Sequence, residues 1–419
     1  GNFGPEGPET MLAQKFGGPA MFVAAAEESE NTLIEGRGDA YCGMLNASYS
    51  LSLRKLNPYI PEYPVGTPDE VADMIYDFKD IARVIIGLSK FKIFGFGPRP
   101  QDFLACNAPI KPLFDLGVEI MENSELDLFE SFNLHENDPR IPSVVKDMEK
   151  ELGEGNKLPG ILPKLAQYEI TLLDWMEQHI GASEYAAFAN KCWPAFQTQF
   201  GFVPCYVNSR LTSRGIPVSC EVDIYGALSE YIITCATGIP ATLLDINNTV
   251  PKDMYDNNRD KFGDYKLTDL FMGFHCGNTP NCYLKNGTLK YQRIMHRLLE
   301  PDKEPDITRG TLEGAIVPGD ITIFRLQGTA DCKLKSYVAQ GHVIDVDPKS
   351  FGGIGVFAIK EMGRFYRHVL IGKRYPHHSA VAFKHAGKVL FAAMKMLGIK
   401  DVAFNQPANM LYKDENPFK

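Results

Sequence analysis

The stretch Phe91-Lys92-Ile93-Phe94-Gly95-Phe96-Gly97-Pro98-Arg99-Pro100 reads as an apolar strand that stops in a tight Gly/Pro turn. In front of it, Thr67-Pro68-Asp69-Glu70 is a capping box with proline at the first helical position, and Val71, Met74, Ile75, Phe78, Ile81 and Ala82 recur at helical spacing. A helix is therefore predicted from Pro68 to near Gly87. Behind the turn come a helix, a second strand Val118-Glu119-Ile120-Met121 and another helix. Such alternation is the pattern of a parallel sheet with helical crossovers. The turn is not a dinucleotide-binding loop, because Pro98 and Pro100 interrupt it and the third glycine is missing. Arg99 is its one residue suited to an oxyanion contact.

Working outward, Pro19 to Ala25 reads as a small-residue strand and Asp39 to Leu56 as a helix, the tail of a preceding α/β unit. An N-terminal piece is expected to be missing, since the chain opens at Gly1 without Met in a turn-like run. From Ser124 to Phe200 the pattern is mainly helical; Cys220 to Gly238 is a further helix and Ala241 to Asp245 a short strand. Beyond this the texture changes. Segments such as Asp320 to Leu326 and His342 to Val346 alternate apolar and polar residues between Gly and Pro, which predicts an antiparallel sheet or barrel across Thr311 to Ile359. A helix from Ala386 to Leu397 and the strand Asp401-Val402-Ala403-Phe404 follow. The expected fold class is α/β, with parallel-sheet Rossmann-like units followed by a C-terminal domain built on an antiparallel barrel-like sheet. The expected division is 1–66 as the remainder of an N-terminal α/β domain, 67–238 as a second α/β domain and 239–419 as a β-rich α+β domain.

Composition narrows the function. The 419 residues are 44% hydrophobic and 23% charged, ordinary values for a folded protein with buried cores and clefts between domains. The net charge is −9, and the basic residues are scattered along the chain in no long run, which disfavours nucleic acid and anionic membranes as partners. No apolar run approaches the roughly 18 residues of a membrane span, no signal pattern opens the chain, and the nine cysteines form no Cys-x-x-Cys. They read as reduced core residues of a cytoplasmic protein. Gly-x-Ser-x-Gly and the Walker phosphate loop are absent, which lowers the case for a serine hydrolase or P-loop enzyme.

Two acidic residues stand out by position: Glu221, read as the start of the helix Glu221 to Leu228, and Asp245 at the end of the next strand. Such edges hold reactive groups rigidly beside a cleft, although a helix dipole alone also favours acid in a first turn. The second feature is Tyr375-Pro376-His377-His378, read as entering a helix, with His385 seven residues beyond His378. Two carboxylates and one imidazole suit a divalent ion such as Mn²⁺, although adjacent imidazoles on one loop rarely both hold one ion. His275-Cys276-Gly277-Asn278 lacks the partners of a structural zinc site.

In order along nearly the whole chain, these residues resemble the L-fucose isomerase family and, at greater distance, the L-arabinose isomerases. Ser219-Cys220-Glu221-Val222-Asp223 through Leu244-Asp245, with Asp245 following Glu221 by 24 positions, is similar to the family segment that supplies a metal-binding Glu and Asp. The region from His378 through His385 to Met396-Leu397-Gly398-Ile399 resembles the surroundings of the family's metal-binding His. The resemblance implies an aldose–ketose isomerase acting through an enediol. It implies Glu221, Asp245 and His378 as ligands of Mn²⁺ or another divalent ion, Glu221 and Asp245 as the acid/base pair, and a homo-oligomer, hexamer or trimer. Trp193 to Gln197 resembles a stretch with a sugar-contacting Gln, so Gln197 is a candidate hydroxyl contact, with His275 and Asn278 as further pocket residues. Fucose isomerases carry Asn before the ligand His; this chain has His377, closer to the arabinose isomerases, as the candidate sugar donor. The expected substrate is a free sugar of the L-fucose or D-arabinose type. The alternatives are L-arabinose or a C6-modified, for example sulfonated, hexose, or a non-catalytic sugar-binding relative.

Overall fold

A computed structural model of the chain describes residues 4–34 and 38–418. Near the N-terminus, β1 (Ala24–Ala25) and β2 (Val65–Gly66) pair in parallel around the helix Ala40–Leu53. The strand expected from Pro19 is thus reduced to two residues plus one bridge between Met21 and Tyr59. Its partner segment explains the shortening: Pro61 and Pro64 have no N–H to give to a ladder. The next helix runs Pro68–Leu88, with the Thr67 N–H donating to the Glu70 carboxylate over 2.8 Å.

A four-stranded parallel sheet follows, β3 (Phe91–Phe96), β4 (Glu119–Asn123), β5 (Tyr185–Ala189) and β6 (Val218–Ser219), in the order β4-β3-β5-β6. Strand β5 corrects the helical reading of the segment 124–200. Its Ala186-Ala187-Phe188-Ala189 run has good helix propensity, but all four residues are buried in the interior of the sheet, where strand pairing and burial on both faces override propensity.

The remaining strands are β7 (Ala241–Asn248), β8 (Leu270–His275), β9 (Leu284–Tyr291), β10 (Arg309–Ile316), β11 (Gly319–Gly328), β12 (Leu334–Ile344), β13 (Gly353–Ala358), β14 (His378–Ala382) and β15 (Asp401–Phe404). They form one nine-stranded sheet. Six of them, β12-β11-β14-β7-β8-β13, close into a barrel through the β12–β13 pairing, antiparallel at every step. Closure leaves this part of the sheet without a free edge. The helix Ile224–Thr237 is buried along nearly its whole length because it packs between the parallel sheet and the barrel strands β7, β11 and β14. Its N-terminal end therefore lies where the two sheets meet. Among the described residues, no helix is long and apolar enough to cross a membrane.

Candidate functional site

The chain enters this junction from β6 through an unusual turn. Glu221 and Val222 both have positive φ, +54° and +53°, a left-handed conformation that costs side chains other than glycine roughly 1 to 3 kcal/mol each. Surrounding hydrogen bonds hold it: the Val222 N–H donates to the Asn190 carbonyl (2.9 Å) and the Ser219 hydroxyl to the Asp223 carbonyl (2.6 Å). The helix then begins at Ile224, not at Glu221 as the acidic first turn had suggested. Asp223 is its N-cap, accepting the Gly226 N–H at 2.9 Å. Gly226 permits this close approach, since a Cβ there would stand 2.8 Å from Asp223 Oδ2. Freed from the helix, the Glu221 side chain turns into the junction.

Asp223 is fully buried and gathers two further groups. Arg325 on β11 donates Nη1 to Oδ2 (2.6 Å) and Nη2 to Oδ1 (2.7 Å), and His378 donates Nδ1 to Oδ2 (2.8 Å). The Gln327 side-chain oxygen takes the Arg325 Nε–H and a second bond from Nη2. The charge of Arg325 and the His378 hydrogen bond hold the Asp223 carboxyl well below the usual range in spite of burial.

His378 opens strand β14, not a helix, directly across from Asp245 on β7. Neighbouring side chains of an extended segment point to opposite sides, so His378 is buried while His377 is exposed. The Asp223 carboxylate can only accept, which keeps a hydrogen on His378 Nδ1, so that the neutral imidazole carries its lone pair on Nε2. That Nε2 lies 2.6 Å from Glu221 Oε2 and 3.5 Å from Asp245 Oδ1. All three atoms are buried, and none has a hydrogen-bond partner outside the trio. Three electron-pair donors from three separate elements thus face one point.

The electrostatics ask for a cation at that point. Burial pushes the Asp245 carboxyl up to about 7, with the Glu221 charge adding to it and His378 opposing. Burial also opposes ionisation of Glu221, but His378 brings its carboxyl down to about 2. Burial works against a charged His378, yet Glu221 and Asp223 raise its pKa well above the ordinary value. A proton on His378 and a metal ion beside it are alternative ways to balance the same carboxylates.

Two family models match the sequence: "Fucose/sulfoquinovose isomerase, N-terminal domain" over residues 1–89 and "L-fucose isomerase, C-terminal domain" over residues 273–404. The chain belongs to the L-fucose isomerase-like family. It is accordingly an isomerase, an intramolecular oxidoreductase in class. Relatives include a sulfoquinovose isomerase of Priestia aryabhattai, 26% identical over 344 residues, 80% of this chain and 70% of the relative. A sulfoquinovose isomerase of Clostridium sp. (strain MSTE9) is 26% identical over 365 residues, 83% of this chain and 72% of the relative. One from Alkalicoccus urumqiensis is 24% identical over 307 residues, 72% and 61% of the two chains. The C-terminal family match contains His275, Asn278, Arg325, His377 and His378; Glu221 and Asp245 lie between the two matched spans.

Around the cluster, this family member sets further polar groups. His275, at the end of β8, is 3% exposed with its ring centroid 5.9 Å from that of His378, and burial lowers its pKa to about 4. His377 Nε2 lies 3.8 Å from Asp245 Oδ1, and its ring faces Phe103, which meets Trp193 edge-on; both centroid distances are 5.7 Å. His377 and the segment Gln101 to Cys106 line an open cavity of about 540 Å³. Gln197 is fully buried with neither amide atom hydrogen-bonded, and Asn278 has an unpartnered Oδ1. Arg99 does not join the cluster among the described contacts; its guanidinium turns back onto the Gln101 carbonyl. Asp223 and Arg325 were not among the candidates from sequence, nor was Glu230, which is buried with an unpartnered Oε2.

Proposed function

We propose that the chain is a divalent-metal-dependent aldose–ketose isomerase whose substrate is a hexose bearing a sulfonate at C6. The observation that carries the metal reading is the convergence of Glu221 Oε2, Asp245 Oδ1 and His378 Nε2, all buried and none with a hydrogen-bond partner outside the three. Two carboxylate oxygens and one imidazole nitrogen suit Mn²⁺. A divalent ion held there would supply Lewis acidity at the sugar's O1 and O2. The fit extends outward, because the Asp223 carboxylate fixes the His378 tautomer that can ligate.

The chemistry divides into two proton movements. Turning an aldose into a ketose takes a proton from C2 and places one on C1, while the O2 hydroxyl proton moves to O1. Glu221, buried, and Asp245, half-buried, provide two carboxylates for these two tasks, each within 3.5 Å of His378 Nε2. His377 at the cavity and Gln197 are the hydroxyl contacts. The relatives named sulfoquinovose isomerase favour the sulfonated hexose over the L-fucose or D-arabinose type expected from sequence.

The test is ketose formation by the metal-loaded protein from sulfoquinovose, L-fucose, D-arabinose and L-arabinose. Preference for sulfoquinovose by at least tenfold in kcat/KM is expected; a preference for any of the other three would overturn the substrate assignment.

A further inference from the structure

The two buried imidazoles of the site have opposite hydrogen-bond surroundings. His378 Nδ1 faces a carboxylate, an acceptor only, so its hydrogen stays on Nδ1. His275 Nδ1 faces the backbone N–H of Cys276 at 2.9 Å, a donor only, so it must present a lone pair there and carry its hydrogen on Nε2. No hydrogen bond among the described residues uses that Nε2–H. A ring nitrogen of His275 lies within 4.8 Å of an Asp245 carboxylate oxygen and of a ring nitrogen of His378, and within the same distance of a Glu221 carboxylate oxygen in a second grouping with Cys220. His275 thus borders the point on which the three lone pairs converge.

We propose that His275 is not a fourth metal ligand but the neutral hydrogen-bond donor of the isomerisation. Its Nε2–H donates to the sugar oxygen that gains negative charge as the carbon-bound proton leaves, and the proton stays on the imidazole throughout. Ligation through Nε2 would require the hydrogen to move to Nδ1, leaving the Cys276 N–H without its partner. A fixed donor aimed at developing charge in a buried site is worth about 10²- to 10³-fold in kcat. This inference rests on the isomerase reading above.

The test compares His275→Leu and His275→Gln with the parent for turnover and, separately, for Mn²⁺ affinity by electron paramagnetic resonance of the free ion. His275→Leu should lose about 10²- to 10³-fold in kcat with Mn²⁺ affinity unchanged within about threefold, and His275→Gln, whose amide restores an N–H near the same place, should recover most of the loss. A drop of more than about tenfold in Mn²⁺ affinity, or a kcat within about threefold of the parent for His275→Leu, would overturn the proposal. ¹⁵N NMR of the metal-stripped parent protein needs no variant to fold: His275 should show a protonated Nε2 and an unprotonated Nδ1, and the reverse tautomer would refute the assignment. If the parent turns over no sugar, the isomerase reading fails first, and the tautomer measurement still decides whether His275 is a donor.

Discussion

Replacing Asp223 by Asn removes one charge without changing size, at the residue that joins the helix cap, Arg325 and His378. The carboxylate accepts from the Gly226 N–H, from two Arg325 nitrogens and from His378 Nδ1. An amide offers a single oxygen, so either His378 and Arg325 Nη1, or Gly226 and Arg325 Nη2, meet an NH₂ group instead. Arg325, fully buried, is left without its counter-charge, a loss of about 3 to 5 kcal/mol when a buried pair is broken from one side. His378 loses the partner that holds its tautomer, which lowers metal affinity about 10- to 100-fold, or about 1.4 to 2.7 kcal/mol. Thermal unfolding and Mn²⁺ titration read the two effects separately. The double variant Asp223→Asn/Arg325→Met removes the stranded cation and should regain much of the stability but none of the metal affinity. Mn²⁺ affinity within about threefold of the parent in Asp223→Asn, or a double variant no more stable than the single, would refute this reasoning.

Other outcomes follow from the same geometry. Glu221→Gln and Asp245→Asn should each abolish isomerisation with the fold intact; activity within about tenfold of the parent, roughly 1.4 kcal/mol of barrier, would rule out their assignment as the acid/base pair. His378→Ala should weaken Mn²⁺ binding far more than His377→Ala, and equal losses in a titration would mean that the exposed imidazole also ligates. Burial, with the Asp223 charge adding, pushes the Glu230 carboxyl up to about 8 from an ordinary value of 4.5. The folded chain keeps a proton there that the unfolded chain releases, so this group's contribution to stability is greatest below about pH 4.5 and falls as pH rises towards about 8. Glu230→Gln should flatten that slope and melt above the parent at pH 8; superimposable melting curves across the range would contradict it.

Local signals read well where they were strong. The capping box at Thr67 and the apolar spacing after it locate the helix Pro68–Leu88 to within a residue, and the strand Phe91–Phe96 stands as read. The Ala-rich β5 was hidden because its strand character comes from its neighbours in the sheet and not from its own residues. At the site, position and the resemblance to the isomerase family brought out Glu221, Asp245 and His378, but not why they meet. Asp245 and His378 face each other through strand register across 133 positions, a relation that no local pattern encodes. Arg325 did leave a trace: in β11 it continues the face of Ile321 and Ile323, and an arginine on a buried apolar face requires a buried acid. Asp223 sits two residues from Glu221, but its cap role and its hold on His378 depend on the left-handed turn at Glu221 and Val222, which side-chain chemistry does not announce.

The most direct test of the central claim is to titrate Mn²⁺ into metal-stripped protein while following ketose formation from sulfoquinovose. The account predicts no turnover without metal, a linear rise, and saturation at one ion per chain. Full activity in the stripped protein, or saturation of Mn²⁺ binding with no turnover, would contradict it.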